Sequence, residues 1–143
     1  MYKILVSDKL AEDAINMLKK EKDIECIVKT GMDENQLTEE LPNYDALIIR
    51  SGTKVTAKAL SQVKKLRIIG RAGVGVDNVD MQAATSKGII VMNTPDANTL
   101  STAEQTITLI LGMARNLPQA DVSLKAKKWE RNKFVGTELY GKT

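Results

Sequence analysis

The sequence predicts an α/β fold in which helices cover both faces of a doubly wound, parallel sheet of five strands. Two observations support this prediction. Short apolar runs alternate with segments of helical periodicity through about the first two-thirds of the chain, and the runs are rich in β-branched side chains. The 143 residues, of which 43% are apolar and 27% charged, are also enough to enclose a core.

Five apolar runs are long enough for strands but too short for helices. They lie at 3–7, 24–28, 46–49, 66–70 and 89–92. The third run, Ala46-Leu47-Ile48-Ile49, contains no polar residue, which is typical of a parallel strand covered on both faces. Each run is followed by polar or small residues, so each strand is predicted to lead directly into a loop or a helix.

Segments of helical periodicity separate these runs. They predict helices at 10–18, 33–42, 56–63 and 80–86. In the first of them apolar residues recur every three or four positions, and Asp33 with Gln36 forms a capping box at the start of the second. Pro42 marks the end of that second helix.

Units of this size build a flavodoxin-like or Rossmann-like sheet. Right-handed crossovers then place the loops that follow strands three, four and five at one edge of the sheet. We therefore expect Arg50, Arg71 and Asn98 to gather at that edge.

Beyond Pro95 a longer and more apolar helix is predicted. Ser101 and Glu104 have the spacing of a capping box, and apolar residues then follow helical spacing for about four turns, as far as Pro118. This helix is expected to pack between domains or subunits. A basic block over 115–133, with six basic and two acidic residues, is expected to extend from it as an arm.

Composition narrows the possible classes of protein. No cleavable leader pattern and no apolar run of bilayer length is present, so a cytoplasmic protein without a membrane partner is expected. Cys26 is expected to be a buried, inert thiol. The basic block contains Trp129 and Phe134 and could in principle bind nucleic acid, but aromatic residues make up only 3% of the chain. A solvated helical face is the commoner origin of such a block, and no nucleic-acid partner is expected.

The stretch Gly73-Val74-Gly75 follows a strand and precedes a helix, as a dinucleotide-binding loop does. The third glycine of that pattern is missing, because Asn78 occupies its position. Two glycines would still let backbone N–H groups approach a small anion such as a carboxylate. A tight turn that needs no ligand would account for the same glycines.

Two arginines lie at the ends of neighbouring apolar strands. Arg50 and Arg71 could together clamp a dianion, since a guanidinium binds a carboxylate or phosphate through paired hydrogen bonds. They could instead pair with local acids such as Asp77. Asn98 could cap the long helix, or its amide could orient a substrate oxygen or a cofactor amide.

Several segments, in this order, resemble the D-isomer-specific 2-hydroxyacid dehydrogenases. They are Ile49-Arg50-Ser51, Thr53-Lys54-Val55-Thr56, Gly70-Arg71-Ala72-Gly73-Val74-Gly75-Val76-Asp77-Asn78-Val79-Asp80, Met92-Asn93-Thr94-Pro95, Ser101-x-Ala103-Glu104, Lys128-Trp129-Glu130-Arg131 and the run 134–143. The resemblance covers the whole chain and is strongest to the members that oxidise D-3-phosphoglycerate with NAD, in the first step of L-serine biosynthesis.

The resemblance implies a role for particular residues. It implies substrate contacts from the side chains or backbone of Arg50, Ser51, Arg71, Gly73, Val74 and Gly75, with the last three holding the carboxylate. Asn98 would line the cleft beside the nicotinamide, so Val74 and Asn98 are also expected near NAD. Lys128 and Arg131 would reach toward the substrate phosphate, in the site of a neighbouring subunit of a homodimer or homotetramer.

The resemblance also implies two domains: a substrate-binding domain over 1–96, and over 97–143 the start of an NAD-binding domain that stops before its glycine-rich loop. The chain has no histidine, so the acid–base residue of the family is absent, and no catalytic residue and no metal ligand is expected in it. The chain alone is expected to be inactive. Two alternatives stay open: another enzyme of the family, of glycerate, glyoxylate or lactate type, and a non-catalytic flavodoxin-like binding module.

Overall fold

The computed structural model describes residues 1–142, which form two compact units. The first unit is Met1–Ala97, and the second begins at Asn98.

The first unit contains the predicted five-stranded sheet, and all of its strand pairs are parallel. The strands are β1 (Tyr2–Val6), β2 (Ile24–Val28), β3 (Ala46–Ile49), β4 (Ile68–Arg71) and β5 (Ile90–Asn93). Their spatial order is β2-β1-β3-β4-β5, which is the flavodoxin-like order. The predicted fold class is therefore confirmed.

Three α-helices accompany the sheet, α1 (Glu12–Lys20), α2 (Glu34–Glu40) and α3 (Met81–Ser86), and a short 3₁₀ helix, Leu41–Asn43, follows α2. The predicted capping box of α2 is present, because Asp33 accepts from the Gln36 backbone while the Gln36 side chain accepts from Asp33 N. Asp80 caps α3 by accepting from Ala83 N at 2.9 Å. These caps satisfy backbone donors that would otherwise lack a partner at the helix starts.

The core lies on one face of the sheet. Leu5, Leu47, Ile49 and Ile69 are fully buried there, beneath α2, α3 and the connecting segments. On the opposite face α1 packs on β2, and the apolar Ile90 and Met92 of β5 stay exposed. Cys26, expected to be buried, is only half-buried on β2, although this burial still raises the pKa of its thiol.

The helix predicted over 56–63 is wrong. This segment consists of turns, held by Leu60 N donating to Thr56 O at 3.1 Å and Ser61 N donating to Lys58 O at 3.0 Å. A single turn already buries Ala59 and Leu60 completely. In so short a segment, few further helical hydrogen bonds are available to offset the cost of nucleating a helix.

The second unit consists of α4 (Thr99–Ala114), α5 (Leu117–Lys125) and the short 3₁₀ helix Arg131–Phe134. The capping box predicted from Ser101 is wrong. Ser101 lies inside the first turn of α4, where its hydroxyl donates to Asn98 O at 3.0 Å. Pro118 does not end α4 but sits in the first turn of α5, where its missing N–H costs nothing. The first part of the expected arm is therefore helical.

The end of α5 has the hydrogen bonds of a Schellman motif. Lys127 N donates to Leu124 O, and Lys128 N donates to Ser123 O. Lys127 adopts a φ of 58°, a left-handed conformation that usually belongs to glycine. None of the helices within residues 1–142 is both long and apolar enough to cross a bilayer.

Candidate functional site

The loops that follow β1, β3 and β4 meet at one edge of the sheet, because their strands are parallel and in register. Val6 is aligned with Ile48, and Ile49 with Arg71. Each loop therefore leaves the sheet at nearly the same level. Together they place the segments 7–9, 50–53 and 71–78 side by side.

Asp8 holds the loop after β3 through backbone N–H groups. Its Oδ2 accepts from Arg50 N at 2.6 Å and from Thr53 N at 3.0 Å. Gly52 lies so close to this carboxylate that a Cβ on it would be 2.6 Å from Asp8 Oδ1. The carboxylate thus fixes the ends of the loop, and the glycine lets the loop pass over it.

Asn78 holds the same loop through its carbonyl groups. Its Nδ2 donates to Arg50 O and to Thr53 O, each at 2.6 Å. The Asn78 Oδ1 accepts from Arg71 Nε at 3.0 Å, and the Asn78 backbone O accepts from Val55 N at 2.8 Å. One side chain therefore links the loop after β3 to the arginine at the end of β4.

The guanidinium of Arg71 lies over Gly73. A Cβ on Gly73 would overlap Arg71 Nη1 and lie 3.2 Å from Arg71 Cζ. A side chain at this position would displace the guanidinium from its place over the loop. Within the described part of the chain, the four Nη–H donors of Arg71 have no protein acceptor.

The loop after β4 has its carbonyl groups engaged and some of its N–H groups free. Thr94 N donates to Gly73 O at 3.0 Å, and Asn93 Nδ2 donates to Val74 O at 2.7 Å. Among residues 1–142, the N–H groups of Val74 and Gly75 donate to no protein acceptor. Free amides beside an arginine are suited to binding a carboxylate.

The structure brings Arg50 and Ser51 to the same edge. Arg50 is exposed, with Nη1 donating to Lys9 O at 3.4 Å, and Ser51 is exposed beside it. Neither Arg50 nor Arg71 forms an ion pair with any carboxylate in the part of the chain that the structure describes. The alternative in which Asp77 neutralises them is therefore not realised.

The other predicted site residues belong to the second unit. Asn98 is exposed and precedes α4 without making a side-chain cap. Lys128 and Arg131 line a cavity with Trp129 and Phe134. Both cations are exposed, and neither is ion-paired within the described residues.

Glu130 is the acid of this second-unit cavity, and it is already engaged. It accepts from Lys133 Nζ at 2.6 Å and from Ser123 Oγ at 3.0 Å. These hydrogen bonds, led by the one from Lys133, lower the pKa of the Glu130 carboxyl. Lys128 and Arg131 are thus left as the available cations of the cavity.

Sequence reasoning missed three residues that shape the sheet-edge site: Asp8, Asn78 and Asn93. Asp8 is the second residue after β1, and Asn93 is the last residue of β5. A polar residue at the carboxyl end of a parallel strand is the signal that could have identified them. Asn78 was noted only as the missing glycine of a nucleotide loop. No group of three His, Cys, Asp or Glu side chains suited to a metal ion occurs in residues 1–142.

Comparison with known proteins gives one family. Residues 4–140 match the sequence profile described as "D-isomer specific 2-hydroxyacid dehydrogenase, catalytic domain". A D-3-phosphoglycerate dehydrogenase of Methanocaldococcus jannaschii is 54% identical over 143 residues, which cover 100% of this chain and 27% of that protein.

Solved structures of this kind share the fold. D-lactate dehydrogenase from Aquifex aeolicus, in complex with NAD and lactic acid, has a TM-score of 0.82 at 25% identity, covering 95% of this chain and 41% of that one. NAD⁺-bound 3-phosphoglycerate dehydrogenase of Entamoeba histolytica has a TM-score of 0.71 at 30% identity, covering 80% and 39%. The chain therefore spans well under half the length of these proteins.

Proposed function

Because the chain belongs to the D-isomer-specific 2-hydroxyacid dehydrogenase family, we propose that it supplies the substrate-carboxylate site of an NAD-dependent D-3-phosphoglycerate dehydrogenase. The enzyme would oxidise D-3-phosphoglycerate to 3-phosphohydroxypyruvate, leading to L-serine. The observation that carries the proposal is the juxtaposition of the free Val74 and Gly75 amides with the unpaired Arg71 guanidinium. The sequence identity to D-3-phosphoglycerate dehydrogenases supports the choice of substrate.

In this proposal the substrate carboxylate accepts hydrogen bonds from Val74 N and Gly75 N. Arg71 adds a charge-assisted hydrogen bond through its Nη groups, and such a bond is roughly twice as strong as a neutral one. Arg50 and Ser51, on the adjoining loop, contact the remaining polar atoms of the substrate. The preorganised loops orient the acid without having to rearrange when it binds.

The phosphate is assigned to Lys128 and Arg131. Both are exposed cations without a partner in the described part of the chain, and their cavity has its only acid, Glu130, engaged by Lys133. Since a phosphate needs cationic donors, these residues favour a phosphorylated acid over lactate or glyoxylate. The proposal places them in the site of a neighbouring subunit, within a homodimer or homotetramer.

The proposal divides the chain into a substrate-binding domain over 1–96 and, over 97–143, the start of an NAD-binding domain. Val74, through its exposed side chain, and Asn98, whose side-chain amide does not cap α4, are suited to a contact with the edge of NAD. NAD would supply the hydride acceptor when bound. The sequence contains no histidine, so the proposal assigns the acid–base group and most of the NAD contacts to other parts of the protein.

Titration calorimetry of the chain with D-3-phosphoglycerate, D-lactate and glyoxylate tests this proposal. We expect binding that depends on the phosphate and that weakens roughly 10- to 100-fold in Arg71→Ala or Arg50→Ala, the loss of one charge-assisted contact. Arg67→Ala is the matched control, because Arg67 is an exposed arginine that immediately precedes β4, at the end of the strand away from Arg71. Equal affinity for D-lactate would favour the lactate type of enzyme, and binding that is unaffected by the site variants would refute the assignment.

A further inference from the structure

We propose that Asn78 is a positioning residue, which sets the Arg71 guanidinium and the Arg50 loop in the geometry that receives the substrate carboxylate. This inference rests on the proposed function, because it concerns how the same site is organised. The observation behind it is that a single side chain makes three hydrogen bonds to two loops, at 2.6, 2.6 and 3.0 Å.

The chemistry of the contacts determines which way the amide faces. The atoms at Arg50 and Thr53 are carbonyl oxygens, which only accept, and the atom at Arg71 is Nε–H, which only donates. A flipped amide would place Oδ1 against two carbonyl oxygens and Nδ2 against a cationic donor. Asparagine is thus required for the full set, because aspartate cannot donate and alanine can do neither.

The hydrogen bond from Arg71 to Asn78 leaves the Nη groups of the guanidinium free. Asn78 takes the Nε–H, so the four Nη–H donors, which can form a bidentate contact with a carboxylate, are still available. The guanidinium is simultaneously held above Gly73, next to the free amides of Val74 and Gly75. Without Asn78, the long side chain would have to be ordered by the substrate itself, at a cost in affinity.

The contact with the Arg50 loop is shared with Asp8. For both Arg50 and Thr53, Asp8 accepts from the N–H and Asn78 donates to the C=O. The N–H and the C=O of each residue are therefore both held by a side chain. Within residues 1–142 the Asp8 carboxylate holds this loop but not Arg71, whereas Asn78 holds both, so of these two side chains it is Asn78 that couples the two arginines.

The first experiment needs no ligand. In the ¹⁵N-labelled chain, we expect the Arg71 Nε–H to exchange with water more slowly than that of exposed Arg67, with Arg71→Lys identifying the signal. Asn78→Ala should bring the Arg71 rate to the Arg67 rate. Asn78→Asp retains an acceptor for the Arg71 Nε–H, so it should leave the Arg71 exchange rate slow. It removes the donor to Arg50 O and Thr53 O, so the ¹⁵N signals of the amides in the same peptide groups, Ser51 and Lys54, should shift.

The second experiment is a double-mutant cycle on the affinity for D-3-phosphoglycerate. Asn78→Ala should weaken binding roughly tenfold in the wild-type background and less in the Arg71→Lys background, because the part of its effect that passes through Arg71 is absent there. A merely structural role would give the same factor in both backgrounds. Asn43→Ala is the control, since Asn43 is exposed and outside the site.

The outcomes separate the two proposals. An Arg71 Nε–H that exchanges freely in the wild type, or equal factors in the two backgrounds, overturns the role of Asn78 and leaves the proposed function standing. A slow Nε–H that Asn78→Ala releases, in a chain whose binding of D-3-phosphoglycerate is unaffected by Arg71→Ala, supports the positioning contact and refutes the proposed function. If Asn78→Ala does not fold, Asn78→Asp carries the test: a slow Arg71 Nε–H with shifted Ser51 and Lys54 amide signals supports the contacts of Asn78, and unshifted amide signals overturn them.

Discussion

Replacing Asp8 by alanine should destabilise the first unit, because two backbone N–H groups would lose one charged acceptor. The lost contacts are those of Arg50 N at 2.6 Å and Thr53 N at 3.0 Å. A hydrogen bond to a charged group contributes about 1.5–3 kcal/mol. Thr53 is only 7% exposed, so its N–H is costly to leave unpaired, whereas water can reach the exposed Arg50. We therefore expect a loss of about 2–3 kcal/mol, below the sum of about 3–6 kcal/mol for two such bonds, because water replaces the lost acceptor at Arg50 N.

Urea unfolding followed by circular dichroism, together with amide hydrogen exchange of Arg50 and Thr53, measures this effect. Asp8→Asn keeps an acceptor oxygen but loses its charge, so it should cost less than Asp8→Ala. Asp23→Ala is a matched control, since Asp23 is exposed and its carboxylate has no partner within the described residues. A loss below about 0.5 kcal/mol for Asp8→Ala, in the range of ordinary surface substitutions, would refute the reasoning.

Three further predictions concern stability. Gly136→Ala should destabilise the second unit by at least about 2 kcal/mol, because the new Cβ would overlap the backbone of Ala114, as measured by hydrogen exchange in α4. Lys127→Gly should stabilise the second unit by about 0.5–1 kcal/mol by relieving its left-handed conformation, measured by the urea midpoint. Hydrogen bonding between Lys29 and Glu40 lowers the pKa of Glu40 from 4.5 and raises that of Lys29 from 10.5. The pair should therefore stabilise the first unit most between pH 4.5 and pH 10.5. This stabilisation should be lost as the pH falls through the lowered pKa of Glu40 or rises through the raised pKa of Lys29, and urea midpoints measured across pH test both limits.

Each of these predictions has a comparison that can contradict it. Gly112→Ala has open space around its new Cβ, so it should be tolerated, and an equal loss in both glycine variants would remove the steric explanation. Lys125→Gly lies inside α5 and should destabilise, in contrast to Lys127→Gly. Glu40→Gln should flatten the acid side of the pH profile, and an unchanged profile would show that the pair contributes nothing measurable.

Several secondary-structure elements could be predicted from the sequence because neighbouring residues alone determine them. Short apolar runs identified all five strands to within two residues at either end, because a strand buried in a parallel sheet must be apolar. The α2 capping box was also predictable, since Asp33 and Gln36 satisfy each other's backbone without help from distant residues. The prediction of a helix over 56–63 was wrong because a single turn already buries Ala59 and Leu60. This tertiary effect outweighed the helical periodicity of the segment.

For the site, the sequence by itself determined the chemical groups and their common edge, because polar residues at the ends of parallel strands must lie on the same side of the sheet. Only the tertiary structure showed that Arg71 folds over Gly73 and that Asp8 and Asn78 hold the Arg50 loop from two sides. Such contacts join residues up to 45 positions apart, as between Thr53 and Asp8. Which residues come into contact depends on their distance in space after the strands have paired. The periodicity of residues along the chain contains no information about those distances.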